Sequence, residues 1–429
     1  LETFTQEVRL TSNTDGPFQW LVGAFYSTID REYGQTLDVA GFSAASGVPT
    51  ATTLAGTDIL FFSEIPYDYD QLAFFAEGTL DVTERLHITA GVRTFKFEEE
   101  RELNFDGVFA STTIAEHGDT DSSGWNPRLI VAYDVSEDFR LNAQVAKGFR
   151  LGGINDPLNL PLCSAADAAT FGGFDEYDDE ELWNFEVGGK ATLADGRVQV
   201  SAAVFHQEIK DLQATLTAGT CSSRIVFNVE DATSTGAEFE IAAELMEGLS
   251  VSFAGSYTDA ELDSTVTSTS GGVTSVVGGI EDGNRLPTTP RYQFAATVDY
   301  VHPLEDGMEA FASATYQFVG SRFTQIGDQD PSFGTVDLTS ISNPTGMPML
   351  VGGPLTASSF NFDPKLDSYD IANLRFGVRQ EGWEVAVFVN NVFDENAQLG
   401  LDQERGTLAR VGYLVNKPRT FGITTTIDF

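Results

Sequence analysis

Residues 420–429 of the chain read TFGITTTIDF, and this stretch decides the fold class. Phe421, Ile423, Ile427 and Phe429 fall at alternate positions, with mostly polar residues and one glycine between them. A two-residue period of apolar and polar side chains is typical of a β-strand with one apolar face. The pattern predicts such a strand at 420–429, which either a soluble sheet or a membrane barrel could contain.

The same alternation recurs along the whole chain, in segments separated by alternately short and long connections. Tyr292, Phe294 and Val298, for example, alternate with Gln293 and Asp299. Short turns on one side and long loops on the other are typical of outer-membrane barrels, in which the long loops lie outside the cell. We therefore predict an all-β fold, a transmembrane antiparallel β-barrel. Its strands are predicted at 3–12, 18–33, 66–82, 85–103, 125–135, 138–150, 181–194, 197–213, 226–245, 249–260, 289–302, 308–320, 367–379, 383–393 and 418–429.

Composition agrees with this fold and excludes several classes of protein. The 429 residues carry a formal net charge of −40, which disfavours nucleic acid as a partner because phosphates attract Lys and Arg. No apolar run approaches the roughly 18–20 residues of a membrane helix, and barrel strands need none. The four histidines are scattered and none lies at zinc-ligand spacing from a cysteine. We expect no enzymatic activity and no cofactor.

Several segments, in order, resemble TonB-dependent receptors of the bacterial outer membrane. They are FTQEVRLTS at 4–12, WLVGAFY at 20–26, NPRLIVAYDVSEDFRLNAQVAKGFRLGGIN at 126–155, ELWNFEVGGKATLADGRVQVSAAVFHQEIKDLQ at 181–213, NVEDATSTGAEFEIAAEL at 228–245, LPTTPRY at 286–292, FVNNVFDEN at 388–396 and PRTFGITTTIDF at 418–429. The resemblance covers essentially the whole chain, and a terminal aromatic such as Phe429 is part of the family's insertion signal.

The resemblance implies uptake of a scarce solute, energised by TonB, with a ferric siderophore as the default cargo. Oligosaccharide or cobalamin uptake is an alternative, and a passive porin-like channel or a non-transport surface barrel is another. The implied partners are outer-membrane lipid, lipopolysaccharide, the TonB system and a small-molecule ligand. We expect a monomer.

The chain departs from the family in its number of strands. Large outer-membrane transporters of this kind have about 22 strands and a plugged lumen. The pattern predicts about fifteen here, and no plug sequence. We therefore expect residues 1–429 to be the C-terminal part of the receptor barrel, with the plug domain and the first strands absent.

The resemblance places ligand contacts on the lumen wall and the outer loops. Arginine offers a planar fork of donors to anionic groups, and aromatic rings can stack on a siderophore or sugar. The alternative for each residue is loop packing or contact with lipopolysaccharide. The candidates are Arg150, Asn155, Phe171, Phe174, Tyr177, Arg285, Arg322, Phe323, Phe333 and Arg405.

The sharpest acidic cluster surrounds Tyr177, at the outer end of a predicted strand. Its oxygen ligands would suit a hard divalent cation such as calcium, or a cationic ligand. The alternative is a solvated loop rim or a bridge to cations among lipopolysaccharide. The cluster contains Asp175, Glu176, Asp178, Asp179, Glu180 and Glu181.

Cys163 and Cys221 are the only two cysteines. Both fall in predicted outer loops that flank the same hairpin, 181–213, and the protein would fold in an oxidising compartment. We predict a disulfide that joins the two loops, with two unrelated thiols as the alternative.

Overall fold

In the computed structural model of the chain, fifteen strands form one antiparallel sheet in which sequence neighbours pair. The structure describes residues 1–50, 54–110, 114–221, 223–270, 272–331, 333–337, 359–403 and 411–428. The strands are β1 Glu2–Thr11, β2 Phe18–Asp38, β3 Ile59–Asp81, β4 Leu86–Asp106, β5 Ile114–Ser136, β6 Phe139–Arg150, β7 Glu180–Leu193, β8 Val198–Thr217, β9 Arg224–Met246, β10 Leu249–Leu262, β11 Tyr292–Pro303, β12 Glu309–Val319, β13 Tyr369–Gln380, β14 Trp383–Asn390 and β15 Thr420–Ile427.

The predicted fold class is confirmed, and each predicted strand overlaps one strand of this sheet. Short turns lie at one end of the sheet, where Gly248 and Gly382 adopt φ of 76° and 85° in two-residue connections. Such positive φ values suit tight hairpins and are readily adopted by glycine. At the other end, β2–β5 and β9 extend beyond their predicted limits, so several loops are shorter than the sequence indicated.

The long connections contain small elements. These are the helices Phe42–Ser46 and Ala165–Phe171, the 3-10 turns Leu160–Leu162, Gly219–Cys221, Glu305–Gly307 and Ile326–Gln329, and the strand pairs Gly153–Ile154 with Glu176–Tyr177, Thr267–Ser270 with Val273–Val276, Arg322–Phe323 with Lys365–Leu366, Thr335–Asp337 with Ser359–Asn361, and Gln398–Gln403 with Val411–Val415. In the described part of the chain, no helix has the length and apolarity to cross a membrane.

The register separates an apolar from a polar face across the sheet. Val200 pairs with Ala191 and Ile241, whereas the next residue, Ser201, pairs with Lys190 and Glu240. On β15, Phe421, Ile423 and Ile427 are 82%, 71% and 56% exposed on the apolar face, as predicted, and Phe429 lies outside the described residues. A broad exposed apolar face on one side of a sheet suits contact with lipid.

The apolar face ends where the longer strands continue past it. Asp30, Asp68, Glu100 and Asp119 are aligned partners across β2–β5 and lie on the same face as Phe74 and Val92, further along the strands. Asp70, Glu98 and Asp121 form a second aligned row on this face, two residues nearer the apolar part. Because carboxylates are expensive in hydrocarbon, the strands have left the lipid by the level of this second row.

The long loops fold over the polar face and build small cores there. Ile154 packs with Ile65, Leu103 and Phe105 of β3 and β4. A second core under the loops includes Phe171, Leu216 and Ile280. The described parts of these loops are therefore packed against the strands.

The two faces of β8 give a direct test of the register. We expect Val200→Arg to lower the stability of the membrane-inserted protein by about 2–4 kcal/mol if position 200 lies near the midplane, because the charge would face lipid. Ser201→Arg should have little effect, because its side chain lies beside Glu240. Urea unfolding of the inserted variants measures both changes, and equal losses would contradict the assigned faces.

Candidate functional site

A row of alternating cations and tyrosines crosses the polar face near the loop end of β2, β3 and β4. Arg31 pairs with Tyr67, and Tyr67 pairs with Arg101. The guanidinium carbons of Arg31 and Arg101 lie 5.4 Å and 4.5 Å from the centre of the Tyr67 ring, and Arg31 is also 5.8 Å from Tyr33. These distances are typical of cation–π contacts, which hold the guanidinium groups in place while leaving N–H donors available.

The two arginines of the row differ in how their donors are used. Arg101 forms an ion pair with Glu99 and donates from Nη1 to the carbonyl oxygen of Ile154 at 2.9 Å. Arg31 is exposed, and within the described ranges it has neither a hydrogen-bond acceptor nor a carboxylate partner. Arg31 is therefore an oriented cation with unused donors, suited to an anionic oxygen group beside an aromatic surface.

This row was not predicted from the sequence. Arg31 and Tyr33 lie at the end of the strand predicted at 18–33, which is longer in the structure. Positions 29, 31 and 33 are in phase with Ser27 on one face of the strand, and this two-residue period is the signal that could have shown Arg31 and Tyr33 facing inward.

Four of the predicted contact residues lie on accessible surfaces of the loop end. Arg150 is bound through Nε to Gln213 Oε1 at 2.6 Å. Phe174 lies 5.7 Å from the Phe227 ring, and Phe333 meets Phe362 edge-on at 5.3 Å. Tyr177 is half-buried, and burial raises the pKa of its phenol. These four remain predictions, because their contacts leave part of each side chain available.

Two other candidates are used inside the loops. Asn155 is 7% exposed, and its Nδ2 donates to the carbonyl oxygens of Phe174 at 2.9 Å and Val226 at 2.6 Å. Phe171 is 6% exposed within the larger loop core. Neither side chain reaches a ligand in this arrangement, because burial and hydrogen bonding commit both to loop packing.

The arginine candidates in the later loops bind backbone carbonyls. Arg285 donates to the carbonyl oxygens of Thr289 and Ser321 at 2.7 Å and 3.0 Å, and burial lowers its pKa. Arg322 is 6% exposed and donates to the carbonyl oxygens of Gln398 and Leu399. Both arginines tie loop segments together, which differs from the predicted ligand contact.

The last two candidates give no further support to a site. Phe323 lies in the short strand pair with Lys365, and its carbonyl oxygen accepts from the amide of Thr288 at 2.8 Å. Arg405 lies outside the described residues. The ligand contact predicted for Arg405 stays a prediction.

The acidic cluster around Tyr177 does not form the predicted cation site. Within the described residues, no group of three or more Asp, Glu, His or Cys side chains is arranged to hold a metal. Three of its carboxylates accept from different partners. Asp179 accepts from Gly152 and Ser122, Glu180 accepts from Gln213, and Glu181 accepts from Lys147. The main chain of Asp175 and Asp178 bonds to Asn155 and Asn228, while Glu176 pairs in a short strand. Consecutive residues of an extended chain point to opposite sides, so the run does not converge.

The structure joins Cys163 and Cys221 by a disulfide, as predicted, with their Cα atoms 4.0 Å apart. Cys221 is completely buried in the larger loop core. Asp167 reinforces the link, because its Oδ2 accepts from the amide and hydroxyl of Thr220. The disulfide ties the loop between β6 and β7 to the turn between β8 and β9.

The sheet has an apolar side that faces lipid, a polar side under packed loops, and short turns at the far end. These features together define the wall of a membrane β-barrel. Comparison with known families assigns it: residues 2–392 match the family described as TonB dependent receptor-like, beta-barrel. The chain belongs to this family, whose members are outer-membrane receptors that transport solutes and are not enzymes. The polar face is therefore the lumen face.

The chain also resembles individual receptors. It is 23% identical over 367 residues to the pesticin receptor of Yersinia pestis, covering 84% of this chain and 44% of that protein. The metal-pseudopaline receptor CntO of Pseudomonas aeruginosa is 26% identical over 279 residues, with coverages of 63% and 34%. The ferric yersiniabactin uptake receptor FyuA of Yersinia pestis superimposes with a TM-score of 0.72 at 18% identity, over 100% of this chain and 54% of that one. The chain thus spans about half the length of the relatives it matches.

The loop that carries Arg322 contains a buried carboxyl whose charge should affect its stability. Burial raises the pKa of Asp328 to about 6, against opposing hydrogen bonds from the amides of Gln325 and Thr324. The folded state then binds a proton that the unfolded state has already released between pH 3.8 and about 6. Stability of this loop should fall as pH rises through that range, by up to about 3 kcal/mol, and stay constant above it.

Amide hydrogen exchange at Thr324 and Gln325, corrected for intrinsic rates, measures this dependence. Asp328→Asn is the control, because it cannot ionise. An equal pH profile in both proteins would show that Asp328 does not carry the effect.

Proposed function

We propose that the chain forms the lumen wall and outer loops of a receptor that imports a ferric siderophore with energy from TonB. The row of Arg31, Tyr67 and Arg101 at the outer end of the lumen carries this proposal. Ferric siderophores present anionic oxygens, and many present aromatic groups, which suit an arginine held between tyrosine rings. The metallophore and siderophore receptors among the relatives support the same class of cargo.

The wall continues in parts of the receptor outside residues 1–429. Among the described strands, β1 pairs only with β2 and β15 only with β14. An unpaired strand edge in hydrocarbon leaves backbone N–H and C=O groups without partners, which is strongly unfavourable. The solved relative is nearly twice as long as the matched region, which leaves room for the remaining strands and a plug.

The decisive experiment measures uptake by the full-length receptor that contains this chain. Radioactive iron supplied as a panel of ferric chelates should enter cells that have TonB and a proton gradient. Without TonB, ligand should still bind at the surface but should not enter. Equal uptake in both strains would indicate a passive channel, and TonB-dependent uptake restricted to oligosaccharide or cobalamin would contradict the siderophore assignment.

The arginine row predicts which residues set affinity. Arg31→Ala should weaken binding of the recognised chelate by about tenfold or more, because a hydrogen bond to a charged group contributes about 1.5–3 kcal/mol. Arg375→Ala is the control, since Arg375 faces the lumen, next to the lipid-facing Phe376, and is already paired with Glu384. Equilibrium binding to whole cells that lack TonB measures affinity without uptake. Equal losses in the two variants would contradict a specific role for Arg31.

A further inference from the structure

Strand β5 is paired on both sides only in the part nearest the short turn. Its pairing with β6 ends at Arg128 and Ala146, whereas its pairing with β4 continues to Phe105 and Ile114. Residues 114–127 of β5, the β5 edge, therefore have a strand partner on one side alone among the described residues. The pairing with β6 stops just before Pro127, which has no N–H to donate to a neighbouring strand.

Most of the β5 edge lies outside the membrane. Trp125, near its base, is 57% exposed on the lipid-facing side, and an aromatic residue there suits the outer interface of the bilayer. Asp121 and Asp119, further along the strand, belong to the two rows of aligned carboxylates beyond the lipid. Residues 114–121 thus present about 27 Å of unpaired strand to the exterior, at the usual rise per residue.

The loop between β6 and β7 supports the β5 edge from the lumen side. The hydroxyl of Ser122 donates to a carboxylate oxygen of Asp179. The side chain of Ile154 lies against Gly118, where an added Cβ would be 3.2 Å from the Ile154 Cγ2. Because these contacts use the inward residues of the strand, the edge is held in place while its outward residues stay exposed.

The β5 edge lacks several of the features that usually prevent another strand from pairing. Exposed edges are commonly short, or they carry lysine, proline or a bulge. Residues 114–126 read IAEHGDTDSSGWN, without lysine, arginine or proline, and their register with β4 is continuous. The edge is therefore regular and long enough to accept a further strand, as the edges of peptide-binding sheets do.

The charge beside the β5 edge determines which strand it can accept. Asp119 and Asp121 are exposed on the outward face, and so are their partners on β4, Glu100 and Glu98. Lys96, on the same face of β4, is already paired with Glu98. The same edge of a second copy would bring carboxylates against these carboxylates, which is destabilising. A segment with Lys or Arg at alternate positions would instead place a cation beside each of them.

We propose that the β5 edge binds an extended, cationic segment of a partner protein by adding it to the sheet as a further strand outside the membrane. Backbone hydrogen bonds supply the affinity, and the outward carboxylates select a segment with a cation at every second residue. This surface lies on the outside of the wall, so the proposal is independent of the cargo and of the lumen residues around Arg31.

The first test measures peptide binding to the full-length receptor in lipid nanodiscs, without cargo or TonB. The probe is a peptide of about ten residues, within the usual length of a strand, in which Lys alternates with Val or Thr. Calorimetric titration should show saturable binding. The same peptide with N-methylated backbone amides keeps its charge but cannot donate to a strand, so its affinity should be about tenfold lower or less. Equal affinities, or no binding of the unmodified peptide, would overturn the proposal.

Charge variants locate the binding surface. Asp119→Asn combined with Asp121→Asn should weaken binding of the unmodified peptide about fivefold or more, because cross-strand charge pairs are lost. Asp30→Asn combined with Asp68→Asn is the matched control, since it removes two carboxylates from the same outward face on β2 and β3, away from the edge. Equal losses in the two double variants would show that the peptide responds only to the general negative charge, against a site at the β5 edge.

Disulfide cross-linking tests the strand geometry. Ser123→Cys places a thiol on the outward face of the edge, while Cys163 and Cys221 remain joined to each other. Peptides with a single Cys, moved one residue at a time, should cross-link to position 123 with a two-residue period, because alternate residues of a strand share a face. Cross-linking without this period would contradict strand addition. Receptors linked to each other through position 123 in preference to the peptide would identify a second copy as the occupant and would also overturn the proposal.

Discussion

The hydrocarbon of the membrane imposes the constraint on which the rest of this structure depends. Backbone N–H and C=O groups within it must be paired by the protein, because no water is available there. Strands meet this demand only by lying side by side, and the fifteen strands pair in sequence order. Sequence-neighbour pairing keeps the turns at the near end short. Most residues that extend beyond the lipid therefore lie at the other end, where the loops build their own cores.

The same pairing decides what the lumen presents. A strand that exposes an apolar residue to lipid must place its next residue on the opposite face, so each lipid contact has a lumen residue beside it. In β4, Val92 faces lipid and Arg93 faces the lumen. Where β2–β5 rise above the lipid the alternation persists, with Asp30 outside and Arg31 inside. The strands thus carry cations to two depths of the lumen without interrupting the sheet.

Strand positions could be predicted from the sequence because alternation is a local property: the strand predicted at 181–194 runs over Glu180–Leu193. The loops could not be predicted in this way. Asn155 and Phe171 look like ordinary exposed loop residues until the packing of loops distant in sequence is known, and that packing buries both. The row of Arg31, Tyr67 and Arg101 depends on the register between three strands, which single-strand patterns do not contain.

Whether the N–H donors of an arginine already have acceptors distinguishes a structural role from a role in recognition. Residue type and position in a loop distinguish these roles less well. Arg285 and Arg322 both direct an Nη2 to two carbonyl oxygens and thereby fasten loops. Arg31 and Arg93 are each oriented by an aromatic ring and have no acceptor within the described chain. A ring fixes the direction of a guanidinium without occupying its N–H groups. An arginine held in this way is prepared for an anion that comes from elsewhere. At the outer end of the lumen, that anion would arrive with the ligand.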